Sequence, residues 1–202
     1  MFDDWLRKLK DRLFEPIAPL VGRWLHPNLI SLLGLLVGLA AALLASRGRS
    51  VPAFFAWMVN RTLDGLDGSV ARASGKQSDF GGYLDTVEDF VVYAAIPLGV
   101  VLSHPTEAAW RAGLFLLATF YVNAASWMYL AAILERRNLG VAATGERTTI
   151  TMPPAIVAGT ETIVFYSAFL LLPAWAPTLF WLMGGLLLLN VVLRLVWARS
   201  RI

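Results

Sequence analysis

Asp64-Gly65-Leu66-Asp67-Gly68-Ser69-Val70-Ala71-Arg72, followed after eight residues by Gly81-Gly82-Tyr83-Leu84-Asp85-Thr86-Val87-Glu88-Asp89, is the stretch that decides the fold. Asp64 and Asp67 are spaced i, i+3, and Asp85 and Asp89 are spaced i, i+4, so on helices each pair shares one face. The connection between Arg72 and Gly81 contains Ser-Gly-Lys-Gln-Ser and reads as a turn. Two antiparallel helices joined by this turn bring all four carboxylates together at one end.

Outward from this cluster the chain is strongly apolar. Hydrophobic residues make up 57% of the 202, charged residues 15%, and the mean hydropathy is +0.63. A soluble domain carries about 25% charged residues. The composition therefore excludes a disordered chain and a soluble nucleic-acid binder. The net charge of +3 fits basic membrane edges, and no nucleic-acid partner is expected. The absence of Cys removes disulfides, thiolate metal sites and Cys nucleophiles.

Apolar stretches of near-spanning length occur at about 29–46, 51–72, 82–102, 108–134, 155–172 and 177–197. Helices are the spanning form expected, because backbone polar groups in lipid must be satisfied within the segment. Ahead of them, Trp5, Leu6, Leu9, Leu13, Ile17 and Leu20 recur at helical spacing, with Arg7, Lys8, Lys10 and Arg12 between them. That pattern predicts an amphipathic helix in the membrane interface. A cleaved leader is not expected, because the first apolar run starts late and ends in Ser-Arg-Gly-Arg. The expected fold is all-α and integral to the membrane: one domain over 1–202, with an interfacial helix in 1–24 and six transmembrane helices in 28–198. With the N-terminus inside, 13 of the 17 Lys and Arg lie on the cytoplasmic side. Both termini and the carboxylate cluster are thus expected there.

Seven of the 14 acidic residues fall between 64 and 107, six of them within 64–89. Carboxylates gathered at a membrane edge repel one another and are costly to desolvate. Cations relieve that cost, and oxygen-only ligands favour hard ions such as Mg²⁺ or Mn²⁺. Two such ions about 4 Å apart clamp a phosphate between attacking and leaving oxygens. Gly68 and Gly81 leave room for close approach, and Arg72 offers a planar fork suited to phosphate.

The motif from Asp64 to Asp89 resembles the signature of the CDP-alcohol phosphotransferase family, D-x-x-D-G-x-x-A-R, eight residues, then G-x-x-x-D-x-x-x-D. Every fixed position is present at the family's spacing. The resemblance is specific over the motif and extends to the layout of six spans with an interfacial N-terminal helix. It implies an enzyme of phospholipid synthesis that moves a substituted phosphate from a CDP-linked donor to an alcohol and releases CMP. It implies that Asp64, Asp67, Asp85 and Asp89 hold two Mg²⁺ or Mn²⁺ ions, and that Asp89 is also the catalytic base for the acceptor hydroxyl. Gly68, Ala71, Arg72 and Gly81 would bind CDP. A homodimer is implied as well, and the compact size of the chain points separately to a prokaryotic inner membrane.

Several residues have plainer readings. Asp79 and Glu88 lie off the motif and are expected to be loop and surface charges. His26-Pro27-Asn28 reads as helix-start chemistry. Arg136, Arg137, Arg147 and Arg194 read as topology anchors or as ligands of a phosphorylated acceptor. Glu161 interrupts an apolar stretch and reads as an acceptor contact or as the partner of an Arg. Asn123 and Ser126 are expected in helix–helix hydrogen bonds. CDP-diacylglycerol is the donor expected with a polar alcohol as acceptor. The first span, Pro-Asn-Leu-Ile-Ser-Leu-Leu-Gly, lacks the Arg expected of phosphatidylglycerophosphate synthases, which disfavours glycerol 3-phosphate. Two alternatives remain open from sequence: a soluble CDP-alcohol donor with a lipid acceptor, and a divalent-cation transporter using the acidic cluster.

Overall fold

The computed structural model describes residues 13–144 and 155–200. Every regular element among the described residues is helical: α1 (Ala18–Trp24), α2 (Pro27–Ser46), α3 (Ser50–Ala73), α4 (Asp79–Ser103), α5 (Glu107–Arg136), the short α6 (Val141–Thr144), α7 (Gly159–Leu171), a 3₁₀ turn (Pro173–Trp175) and α8 (Ala176–Arg199). Each of the six expected spans coincides with one helix. Four segments are long and apolar enough to cross a membrane: α2, α4, α5 and the run Pro173–Arg199 that contains α8. Of the other two, α3 carries Arg61, Asp64, Asp67 and Arg72, and α7 has only 13 residues. Residues 1–12 of the expected interfacial helix lie outside the described residues, as does Arg147; over 13–24 the chain makes a turn at 15–17 and then the short helix α1.

Helix starts follow from side chains that accept otherwise orphaned N–H groups. His26 Nδ1 accepts from Asn28 N at 3.3 Å, in agreement with the helix-start reading. Ser78 Oγ accepts from Gly81 N at 3.1 Å and opens α4, and Thr106 Oγ1 accepts from Ala109 N and opens α5.

Two groups of helices form. In one, α2 packs against both α3 and α4; in the other, α5 packs along α8. Between them, α7 touches α3, α4 and α8, and its Tyr166 and Phe169 join Trp57, Ile96, Leu116 and Phe180 in the main core. The α2–α4 contact is backbone-close: a Cβ on Gly99 would lie 2.4 Å from the Ala42 carbonyl oxygen. Helix α1 folds back on this group. Ala18 is buried with Ile30 and Val70, and Lys76 Nζ donates to the Gly22 carbonyl at 3.4 Å.

Pro97 lies inside α4 and has no N–H to give the carbonyl of Tyr93, four residues earlier. That carbonyl is not left bare: Tyr166 Oη of α7 donates to it at 2.7 Å. The hydroxyl thereby fixes α7 to α4 at the point where the α4 ladder is interrupted.

Removing this hydroxyl should be costly only while Pro97 is present. Tyr166→Phe is expected to lose about 1–3 kcal/mol, the range for a buried polar group left unsatisfied. Adding Pro97→Ala, which restores an N–H for Tyr93, should recover much of the loss. Thermal unfolding of the two single variants and the double variant in detergent measures the coupling. Additive losses would show that the hydroxyl acts elsewhere.

Candidate active site

The last turns of α3 and the first turns of α4 place their carboxylates around one pocket. Asp64, Asp67, Asp85, Glu88 and Asp89 line it together with Arg61. Its volume is about 10 Å³, room for roughly one water-sized sphere. All four motif aspartates are therefore brought together as the i, i+3 and i, i+4 spacings require.

Asp67 is buried, and two donors fix it. Ser31 Oγ of α2 donates to Oδ2 at 2.6 Å, and Gly68 N donates to Oδ1 at 2.5 Å. Helix α2 thus orients one motif carboxylate although it contributes no motif residue. A second α2 contact fixes the neighbouring turn of α3, where Asn60 Nδ2 donates to the Gly34 carbonyl at 2.8 Å.

Arg61 is the one cation among the described residues lining the pocket. Its side chain is only 9% exposed. Nη2 lies 2.8 Å from Asp89 Oδ1, and Nη1 lies 3.5 Å from Asp64 Oδ1, so the guanidinium bridges a carboxylate of α3 and one of α4. Nε donates to Asn60 Oδ1 at 2.8 Å and Nη1 to Tyr93 Oη at 3.1 Å. Its Cζ stands 4.6 Å from the Trp57 ring centroid and 5.3 Å from that of Tyr93. From sequence it was only an Arg within a span. The informative signal is its position one turn before Asp64, which on a helix leaves it on the carboxylate face.

Glu88 corrects its sequence reading. It was expected to be a surface charge, but it is 7% exposed and lines the pocket, and its Oε1 has no hydrogen-bond partner. It precedes Asp89 directly and follows Asp85 by three residues, so it shares a flank of α4 with them. Asp79, by contrast, is exposed in the first turn of α4, as expected.

The residues expected at CDP lie beside this pocket, toward the helix ends. Gly68, Ala71 and Arg72 continue α3 beyond Asp67, and Arg72 Nη2 donates to Ser69 Oγ at 3.2 Å. A Cβ on Gly68 would approach Arg72 Nη1 to 3.3 Å, and one on Gly81 would lie 3.2 Å from Ser78 Oγ and 3.4 Å from Asn28 Oδ1. The acceptor candidates are dispersed. Arg136 and Arg137 are exposed where α5 ends. Glu161 is used in a helix start, its Oε2 accepting from Ala158 N at 3.1 Å. Arg194 is buried between α5 and α8 and donates to Asn123 and Ser126, which makes those two polar residues the interhelical bonds expected of them.

The donor set fits hard divalent cations in its chemistry: five carboxylates, no thiolate or imidazole, and a buried carboxylate oxygen left without a partner. Among the described residues, no three of these side chains already converge around a single ion position. Arg61 stands between two of them.

A family model described as CDP-alcohol phosphatidyltransferase matches residues 24–196. The inner membrane protein YnjF of Escherichia coli is 30% identical over 191 residues, covering 95% of this chain and 91% of that protein. Phosphatidylinositol phosphate synthase (PgsA1) of Mycobacterium tuberculosis with CDP-DAG bound superimposes with a TM-score of 0.70 at 22% identity, over 93% of this chain and 94% of that one. The same enzyme in complex with manganese and citrate matches with equal score and identity, over 93% and 89%.

The unpartnered charge of Glu88 has a measurable consequence. Glu88→Gln exchanges a repelled oxygen for an amide that donates to its carboxylate neighbours. Without divalent ions, the variant should be more stable than the parent by about 1 kcal/mol, seen as a higher unfolding midpoint. A lower midpoint would mean that the Glu88 charge is already compensated.

Proposed function

The chain belongs to the CDP-alcohol phosphatidyltransferase family, and from that premise we propose that it transfers a phosphatidyl group from CDP-diacylglycerol to a polar alcohol and releases CMP. The observation that carries this reading is the single pocket shared by Asp64, Asp67, Asp85 and Asp89 at the junction of α3 and α4. Membership of a transferase family sets aside the cation-transporter reading of the same cluster.

The proposed chemistry follows from the side chains. Asp89 takes the proton of the acceptor hydroxyl, which is otherwise a weak nucleophile at neutral pH. The freed oxygen attacks the phosphorus that bears diacylglycerol. The P–O bond to CMP breaks, and CMP leaves with the electron pair. Asp64, Asp67, Asp85 and Asp89 would hold two divalent ions, Mg²⁺ or Mn²⁺, which supply neutralisation of the diphosphate as charge moves onto the leaving group. Arg72 faces the donor's phosphates as a fork. Gly68, Ala71 and Gly81 keep the neighbouring surface open, since a side chain at position 81 would crowd Ser78 and Asn28. Arg136 and Arg137, exposed at the end of α5, offer positive charge for an anionic acceptor.

The proposal extends to the setting. The chain is an integral membrane protein, with four helices long and apolar enough to cross. We place α3 and α7 in the bilayer beside them, which makes six spans in one domain. The positive-inside asymmetry puts the termini and pocket on the cytoplasmic side. A homodimer is part of the same reading.

The test is CMP release by purified protein with CDP-diacylglycerol, Mg²⁺ or Mn²⁺, and a panel of polyols, polyol phosphates and amino alcohols. One acceptor should support turnover, and Asp89→Asn should lower it by roughly 10²–10⁴-fold, the range for a lost general base. Turnover with a soluble CDP-alcohol and a lipid acceptor instead would reverse the partition of donor and acceptor. Unchanged turnover in Asp89→Asn would remove the base role.

A further inference from the structure

Arg61 is foreign to the motif, yet it holds the centre of the carboxylate pocket. Its guanidinium bridges Asp64 and Asp89, two of the residues read above as metal ligands. With it in place, the free volume is about 10 Å³, room for roughly one water-sized sphere. No three acidic or imidazole side chains among the described residues converge on one point. The pocket nevertheless calls for more positive charge than Arg61 provides. Five carboxylates line it, and one of them, Glu88, is 7% exposed with its Oε1 left without a hydrogen-bond partner.

We propose that Arg61 is a resident cation of this pocket, a positioning residue that holds Asp64 and Asp89 together when no divalent ion is bound and competes with a divalent ion for the same two carboxylates. This inference rests on the metal-dependent transferase reading and adds a determinant of metal affinity that lies outside the family motif.

Two features suit Arg61 to an exchange rather than to a permanent bridge. Only its Nη2 edge contacts Asp89 at full hydrogen-bond strength, while the 3.5 Å approach to Asp64 is looser. Its other contacts come from groups that bind no metal here: the rings of Trp57 and Tyr93, the Tyr93 hydroxyl and the Asn60 side-chain oxygen. A guanidinium lying on two aromatic faces keeps cation–π stabilisation after it releases a carboxylate. It can therefore withdraw from Asp89 without losing every partner. In the metal-free protein it offsets like-charge repulsion that would otherwise splay α3 from α4.

The test is Mn²⁺ binding by the full-length protein in detergent, measured by electron paramagnetic resonance of free Mn²⁺ and by calorimetry, with no substrate present. Arg61→Met removes the charge and keeps much of the bulk. Arg61→Gln is the second neutral variant, used if the first does not fold. Arg61→Lys keeps the charge. The neutral variant should bind Mn²⁺ at least about tenfold more tightly than the parent, because a unit positive charge a few ångströms from the ion has been removed. Its unfolding midpoint should also fall without metal and rise more steeply with Mn²⁺ than the parent's. Arg61→Lys should stay near the parent. Saturable binding that is equal or weaker in the folded neutral variant overturns the resident-cation inference alone. No saturable Mn²⁺ binding in any of these proteins overturns it together with the metal-dependent reading.

Discussion

The contact between Arg61 and Asp89, 2.8 Å long and set among four further carboxylates, is the interaction on which the rest of this structure turns. A fold that gathers like charges at the end of an apolar bundle must compensate them, since isolated buried charges are expensive and a half-paired cluster is more so. The compensation is built from three helices. Trp57 and Asn60 of α3 and Tyr93 of α4 hold the guanidinium. Tyr93 is in turn tied to α7, because Pro97 deprives its carbonyl of a helical donor and Tyr166 supplies one. An aromatic chain, Trp57 to Tyr166 to Phe169 to Phe180, carries the packing on to α8. The pocket on α3 and α4 therefore depends on a hydroxyl that arrives from the far half of the sequence.

The other supports are polar clamps between apolar helices, each using groups that would be costly to leave bare in lipid. Ser31 reaches Asp67 from α2, and Asn60 reaches back to the Gly34 carbonyl. In the second helix group, Arg194 is held by Asn123 and Ser126. Asn190 accepts from Ile156 N at 2.6 Å and donates to the Val157 carbonyl at 3.0 Å, which pins the strand of chain that leads into α7. Close backbone approach is a separate constraint between helices. Gly99 against Ala42 is the tightest, and it sets how near α4 can come to α2.

Much of this was legible in the chain. The apolar runs predict the six longest of the eight described helices, because a long apolar run admits few alternatives to a helix. The i, i+3 and i, i+4 spacings gave the shared pocket, because helical geometry converts spacing into a common face. What escaped reading is instructive in its cause. Glu88 lies off the motif and so reads as a surface charge, yet one step along a helix from Asp89 leaves it on a flank still covered by neighbours. The i, i+3 spacing of Arg61 and Asp64 puts the arginine on the carboxylate face, but its bridge to Asp89 and its cage of Trp57 and Tyr93 are non-local and carry no spacing signal. The partnership of Pro97 and Tyr166 is likewise non-local. Only the Pro half was readable, as a missing donor whose replacement no pattern names. Glu161 shows the opposite case, a conspicuous charge in an apolar stretch that serves to start a helix.

The height of the pocket in the bundle connects these local facts to the kind of substrate it can meet. Trp24, Phe80 and Tyr83 are exposed large aromatics at the same end as the carboxylates. Aromatic side chains of this kind favour the membrane–water interface, where an apolar ring and a wet edge are both accommodated. Asp85 follows Tyr83 by two residues on α4, about 3 Å along the helix axis. Asp85 thus lies close to the level of those aromatics, while Asp89, six residues beyond Tyr83, lies about 9 Å along the axis from it, between that level and Ile96. A donor with a charged diphosphate and long acyl chains has its own polar boundary at just this level. Under the proposed function, the charged part of such a donor lies among the carboxylates and Arg72 while the apolar part stays in lipid, so neither half of the molecule has to be moved into the wrong medium before reaction. The same placement explains why the bundle tolerates five carboxylates at one end: they are near enough to water for cations to reach them, and far enough in for their charge to be strongly felt.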